Sequence, residues 1–157
     1  MMTDFDQAFA KLIGHEGGYV DDRRDRGGET KYGISKAAYP GEDIKGMTLE
    51  RAKAIYARDY WGPAGCDALP DGAKLQVFDM AVNSGVKTAI KTLQRAIGTT
   101  PDGVLGPRTL QAIQSMPEAR LIARFNGQRL ALMADFASWP AFGRGWAKRI
   151  AANLMEA

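Results

Sequence analysis

Gly14-His15-Glu16-Gly17-Gly18-Tyr19, continued by Asp25, Gly27-Gly28-Glu29-Thr30 and Tyr32-Gly33, is the stretch whose reading decides the fold. Ahead of it, Phe5, Phe9, Leu12 and Ile13 fall on one face at helical spacing. Thr3 is placed to cap that helix, and Asp4 and Asp6 suit the positive end of its dipole. Gly14 and then Gly17-Gly18 stop it, so Glu16 is expected at or just past the C-terminus. From Tyr19 to Ser35 charges and glycines alternate and no helical period survives. That pattern predicts an ordered glycine-rich loop or short hairpin after the first helix, and a loop of this length in a small domain is usually functional. Ser35 is a candidate cap for a short helix ending near Tyr39-Pro40-Gly41.

Outward from that stretch the chain reads as helix after helix. Thr48 caps one carrying Leu49, Ala52, Ile55, Tyr56 and Tyr60, ended by Gly62-Pro63. The next runs from Pro70 to Gly85 and is apolar nearly all round between Leu75 and Asn83, as a buried helix is. Its exceptions, Gln76, Asp79 and Asn83, are spaced by three and four and form one polar stripe. Buried polar groups need partners, so the stripe either serves an internal hydrogen-bond network or lines a groove as a substrate-binding wall. Val86, Ala89, Ile90, Leu93 and Ile97 mark a further helix, stopped by Gly98. A tight turn over Thr100–Pro107 follows, with Pro107 suited to a first helical position. After Pro117 a long helix is expected to reach Trp139-Pro140. A last one is expected to start near Gly145 with Trp146, Ile150 and Leu154 inward. The fold class is mainly α.

Bulk properties exclude several functions. At 157 residues the chain is the size of one domain with a real core. One cysteine, Cys66, forbids an internal disulfide, and with a single histidine, His15, zinc sites of the usual composition are excluded. Neither a metal nor a cofactor is expected. The N-terminus lacks a basic, long-apolar signal sequence and no apolar run approaches transmembrane length, so stable membrane insertion is not expected. The net charge is +3, with Arg120, Arg124, Arg129, Arg144, Lys148 and Arg149 concentrated late. These are a solvated helix face or an attraction for a polyanion. No nucleic-acid motif or stacking platform accompanies them, so nucleic acid is not an expected partner.

The front stretch can do acid chemistry. A carboxyl at a helix C-terminus meets negative partial charge, and an apolar helix face desolvates it; both raise the pKa of Glu16. A carboxyl protonated near neutral pH can give its proton to a leaving oxygen. Asp25 stands among Arg23, Arg24 and Arg26, which favour its ionised form. Two carboxyls with separated pKa values are the division of labour in glycoside hydrolysis. Thr30 is either a ligand for water or sugar or a turn-stabilising hydroxyl. Tyr32 either offers a ring face to a sugar or packs inward.

Glu16-Gly17-Gly18-Tyr19, Asp25 and Gly27-Gly28-x-Thr30-x-x-Gly33-Ile34 closely resemble glycoside hydrolase family 108, N-acetylmuramidases of phage and prophage type. Asp25 follows Glu16 by nine residues, as in the wider phage-lysozyme pattern; Thr30 comes one residue early. In the second half, Leu93-Gln94-x-Ala96-Ile97, Asp102-Gly103-Val104-Leu105-Gly106 and Thr109-Leu110 are similar to the peptidoglycan-binding region that accompanies this family. Phe142-Gly143-Arg144-Gly145-Trp146-x-x-Arg149 is similar to its C-terminal signature. The resemblance implies a lysozyme-like helical fold, with a muramidase region over residues 1–92 and a peptidoglycan-binding-like region over 93–157 packed as one unit. It implies cleavage of the β-1,4 bond between N-acetylmuramic acid and N-acetylglucosamine, with Glu16 as the acid and bacterial peptidoglycan as the partner of a monomer. An endolysin would be made without a signal peptide in the host cytoplasm and act on the wall in the periplasm once a holin opens the membrane; the family also includes muramidases of secretion systems, and the sequence leaves both open. The competing readings are a lytic transglycosylase, a non-catalytic wall-binding module, and membrane disruption by the basic C-terminal helix.

Overall fold

The computed structural model describes residues 3–14, 18–24 and 26–157. The chain divides into two units, Met1–Asp59 and Tyr60–Ala157. In the first, α1 (Asp4–Ile13) opens on a reciprocal capping box. The Asp6 amide donates to the Thr3 hydroxyl at 3.1 Å and the Thr3 amide to the Asp6 carboxylate at 2.8 Å. Phe9 and Leu12 are buried, while Phe5 and Ile13 are half-buried beside them.

The glycine-rich stretch folds as a small antiparallel sheet of three strands in sequence order: β1 (Val20–Asp21), β2 (Glu29–Lys31) and β3 (Ile34–Ser35). Val20 faces Thr30, Asp21 faces Glu29, Thr30 faces Ser35 and Lys31 faces Ile34. Ile34 is buried, as are Ile44, Met47 and Ile55 of the same unit. Tyr32 and Gly33 form the two-residue hairpin loop with φ of +51° and +77°, the signs a type I′ turn requires at both positions. Ser35 belongs to a strand and caps no helix. Its hydroxyl accepts from the Ala38 amide at 3.2 Å in a turn, because Pro40 and Gly41 follow too soon for a helix to grow.

Helix α2 (Leu49–Tyr56) starts where Thr48 accepts from the Arg51 amide. It buries Ala52, Ile55 and Tyr56 and continues as a π-helical turn over Ala57–Trp61. Leu49, in the first turn, is exposed.

The second unit holds α3 (Asp71–Ser84), α4 (Val86–Ile97), α5 (Pro107–Ser115), α6 (Glu118–Ala134) and α7 (Trp139–Met155). Its core is built on Phe78, Leu93, Leu121, Phe125 and Ile150, with α6 packed on α3, α4 and α7. Two boundaries differ from expectation. Helix α6 stops at Ala134, and α7 begins at Trp139 instead of near Gly145. The Trp139 indole lies over Gly143, where a Cβ would sit 2.4 Å from the ring. Gly143 therefore permits a close ring–backbone approach inside a helix and does not mark a break. On α7, Ile150 and Asn153 face inward, while Trp146 is half-buried and Leu154 is exposed. Seven α-helices and one small sheet among the described residues make the chain mainly α, in keeping with a lysozyme-like fold.

Candidate active site and glycan-binding surface

The front segment is held by local polar contacts. The Tyr19 hydroxyl donates to the Glu29 carboxylate at 2.8 Å, spanning the excursion between β1 and β2. That carboxylate pushes the phenol up to about 12. The contact also gives Glu29 a donor where it faces Asp21 across the strands, a pairing of like charges that is otherwise unfavourable. Arg24 grips Asp22 through Nε at 3.1 Å and Nη2 at 3.0 Å, and its amide donates to the same carboxylate. Those bonds hold Asp22 below the usual carboxylate range. Arg24, expected to sit among the cations around Asp25, is thus committed to Asp22. Glu16 and Asp25 themselves lie outside the described residues.

Thr30 and Tyr32 are brought together on one hairpin. Thr30 occupies the middle strand, on the same face as its cross-strand partners Val20 and Ser35. Val20 is exposed and Thr30 and Ser35 are half-buried, so this face is open to solvent. The Thr30 hydroxyl lies 3.5 Å from the Gly28 carbonyl, at the far limit of a hydrogen bond. The Tyr32 ring is half-exposed at the hairpin tip, with the Lys31 ammonium 5.4 Å from its centroid. Its carbonyl accepts from the Tyr56 hydroxyl at 2.6 Å. Tyr56 is buried and its ring lies 5.7 Å from that of Phe9. A rigid chain of contacts therefore runs from α1 through Tyr56 to the hairpin tip. Sequence reading missed this role for Tyr56, because the partner is a carbonyl 24 residues away.

The polar stripe of α3 divides. Gln76 and Asp79 are buried in the second unit. Gln76 donates to the Asn153 carbonyl at 2.7 Å and accepts from Asn126 at 3.2 Å. Asp79 accepts from Arg129 Nη1 and Arg149 Nε, each at 2.8 Å. Of the two readings open for the stripe, these two residues follow the internal network. Burial lowers the pKa of Arg129, and Asp79 opposes that shift. Asn83, one turn on, is exposed. It lines a cavity of about 440 Å³ with Ser84, Thr88, Leu132, Met133, Phe136 and Trp146.

The Asp102-Gly103-Val104 turn is stapled from within. Gln94 donates to the Asp102 carboxylate at 2.8 Å and the Val104 carbonyl at 2.9 Å, and accepts from the Gly103 amide at 2.9 Å. These residues shape the turn and are spent on one another. Cys66 is buried, and that burial pushes its thiol up to about 12. Among the described residues no helix is long and apolar enough to cross a membrane.

Comparison with known proteins finds two families in succession along the chain, the first of which runs across the boundary between the two units. The family described as glycosyl hydrolase 108 matches residues 9–85, and the one described as predicted peptidoglycan domain matches residues 88–151. The first match ends at Gly85, which joins α3 to α4, and the second begins three residues later, inside α4. The structure of Brucella abortus SagA is 35% identical, with a TM-score of 0.87 over 95% of this chain and 90% of that one. A comparison with curated protein sequences finds no match. With a hydrolase module in front, a wall-binding module behind and a relative of this identity along nearly its whole length, the chain belongs to the glycosyl hydrolase 108 family and is a glycoside hydrolase that acts on peptidoglycan.

Proposed function

We propose that the chain is an N-acetylmuramidase of the phage or prophage endolysin type. It cleaves the β-1,4 bond between N-acetylmuramic acid and N-acetylglucosamine, with Glu16 as general acid. The observation that carries this reading is the match of residues 9–85 to the glycosyl hydrolase 108 family, a span that includes Glu16, Asp25, Thr30 and Tyr32. Helix α1 ends at Ile13, three residues before Glu16, and the negative end of a helix dipole favours the protonated carboxyl. Glu16 gives its proton to the glycosidic oxygen as the bond to the muramic acid breaks. Asp25 is the second carboxylate, as base, electrostatic stabiliser or structural anchor of the site. Thr30, on the open face of the hairpin, and the Tyr32 ring, at its tip, contact the sugars.

Product analysis on purified peptidoglycan tests the reading. The wild type is expected to release reducing muramic acid ends, and Glu16→Gln to release none while folding normally. A 1,6-anhydro product would replace hydrolysis with a transglycosylase reaction, and full activity in Glu16→Gln would remove the acid from Glu16. The endolysin assignment predicts that cells producing the protein internally lyse only after their membrane is permeabilised. Lysis without permeabilisation would overturn it.

A further inference from the structure

We propose that the cavity at the α3–α4 junction, bounded by α6 and α7, is a subsite that holds an N-acetylated sugar of the glycan strand. It rests on the reading of peptidoglycan as substrate and adds a place where the second unit grips it. The cavity's volume of about 440 Å³ falls within the range of roughly 300–1,000 Å³ usual for small-molecule sites. Its lining joins two kinds of surface. Trp146 and Phe136 supply ring faces and edges, with centroids 5.8 Å apart in a T-shaped pair. Phe142 stacks on Trp146 at 5.9 Å and Trp139 lies 6.0 Å from it, so the indole is fixed in orientation. Asn83, Ser84 and Thr88 supply an amide and two hydroxyls from the neighbouring helix ends.

That combination suits a pyranose with an N-acetyl group. Its apolar C–H face packs on an aromatic ring, and its hydroxyls and amide need uncharged donors and acceptors. None of the seven lining residues carries a charge, which disfavours the charged ends of a stem peptide as the occupant. The cluster is also costly to leave bare: Phe136 and Phe142 are exposed at 37% and 58%. Five of the seven lining residues fall within the span matched by the predicted peptidoglycan domain. A smaller depression shares Leu132 and is lined by Thr92, Arg95, Gln128, Ala131 and Asp135. It offers opposite charges to the carboxylate and ammonium groups of a stem peptide attached to that sugar.

The test is a titration of the isotope-labelled full chain carrying Glu16→Gln, followed by amide and indole NMR. The probe is a peptide-free tetrasaccharide of alternating N-acetylglucosamine and N-acetylmuramic acid. Shifts are expected at Ser84, Thr88, Leu132 and the Trp146 indole. Thr88→Arg, a half-exposed change that places a charge in the cavity, and Trp146→Leu should each weaken these shifts roughly tenfold or more, as truncation of a binding anchor does. Thr88→Arg keeps the test open if Trp146→Leu does not fold. Absence of shifts at these residues at millimolar tetrasaccharide overturns the subsite, including the case where only residues 18–35 respond. Product analysis is read separately. Anhydro ends with an occupied cavity would overturn the muramidase reaction and leave the subsite standing.

Discussion

Tyr32→Asn separates stability from activity at the hairpin. Tyr32 holds φ +51° in the first loop position of a type I′ turn, the one positive φ outside glycine among the described residues. A left-handed conformation costs an ordinary residue about 1–2 kcal/mol, and Asn tolerates it far better. Against that gain stands the loss of the Lys31 ammonium over the Tyr32 ring, 5.4 Å away on the surface, worth about 0.5–1 kcal/mol. The hydrogen bond from Tyr56 goes to the Tyr32 backbone and survives the substitution. The net is a protein as stable as the wild type or more stable by up to about 1 kcal/mol. Tyr32→Ala keeps the backbone cost, loses the ring contact, and should be less stable than either. The expected stability order by urea denaturation is therefore Asn, Tyr, Ala. The order in activity is different. If the ring meets sugar, both variants lose about tenfold or more in kcat/KM on peptidoglycan, the size expected for truncating an aromatic anchor. A Tyr32→Asn protein destabilised by more than about 1 kcal/mol would show that the ring packs for the fold. Wild-type turnover in both variants would show that it does not touch substrate.

Three further outcomes follow from other contacts. Asp79→Asn strips the carboxylate from between Arg129 and Arg149, two cations held on a fully buried residue. It should cost about 3–5 kcal/mol in urea unfolding, the usual penalty for breaking a buried ion pair from one side. A cost below about 1 kcal/mol would mean that the arginines find other partners. Glu118→Ala removes the carboxylate that accepts from the Gly72 amide at 2.6 Å. It should cost about 1 kcal/mol, as loss of a helix cap does, and speed amide exchange in the first turn of α3. Acid stability reads the carboxylates. Asp6 is held well below its ordinary range, chiefly by Lys53 and then by Thr3, and Asp102 is lowered by the Val104 amide and Gln94. A depressed folded pKa means that the contribution is complete above the unfolded value near 3.9 and is lost as pH falls through the folded one. The melting temperature of the wild type should therefore drop below about pH 4, and Asp6→Asn should show a smaller drop. Parallel curves would exclude a contribution from Asp6.

What was legible in the sequence was local. Thr3 and Thr48 cap helices within three residues of themselves, so a window of sequence contains both partners. The cap of α3 comes from Glu118, 46 residues away, and no window shows it. Clustered glycines point to a loop or hairpin but do not fix its register. The turn signal is Asn-Gly or Asp-Gly, and this chain uses Tyr32-Gly33. The late boundary was misplaced for the same reason in reverse. Gly143 and Gly145 look like helix breakers, yet Gly143 is demanded by the Trp139 ring, a tertiary cause. The candidate site was readable as residue types. Which of Gln76, Asp79 and Asn83 turn inward depends on α6 and α7, whose arginines and asparagines complete the network.

Motif and site are different things in the second unit. Asp102-Gly103 and Gln94 are its most recognisable residues, and they are consumed in holding a turn. Their geometry demands particular atoms: two acceptors within reach of one amide nitrogen and a backbone amide aimed at one oxygen. Few other residues can meet such a demand, which makes the pattern easy to recognise. The aromatic cavity makes looser demands. A ring can come from Phe or Trp, a hydroxyl from Ser or Thr, and the residues are drawn from four helices and the turn that holds Phe136. Such a surface leaves little linear signature even where it does the binding. The front unit has the opposite economy. Proton transfer at a glycosidic oxygen needs one carboxyl in one place, and under the proposed reaction that is why Glu16 and its glycines stay legible in the sequence. A hydrolase that must both grip a polymer and break one bond in it combines a surface written loosely with a site written strictly.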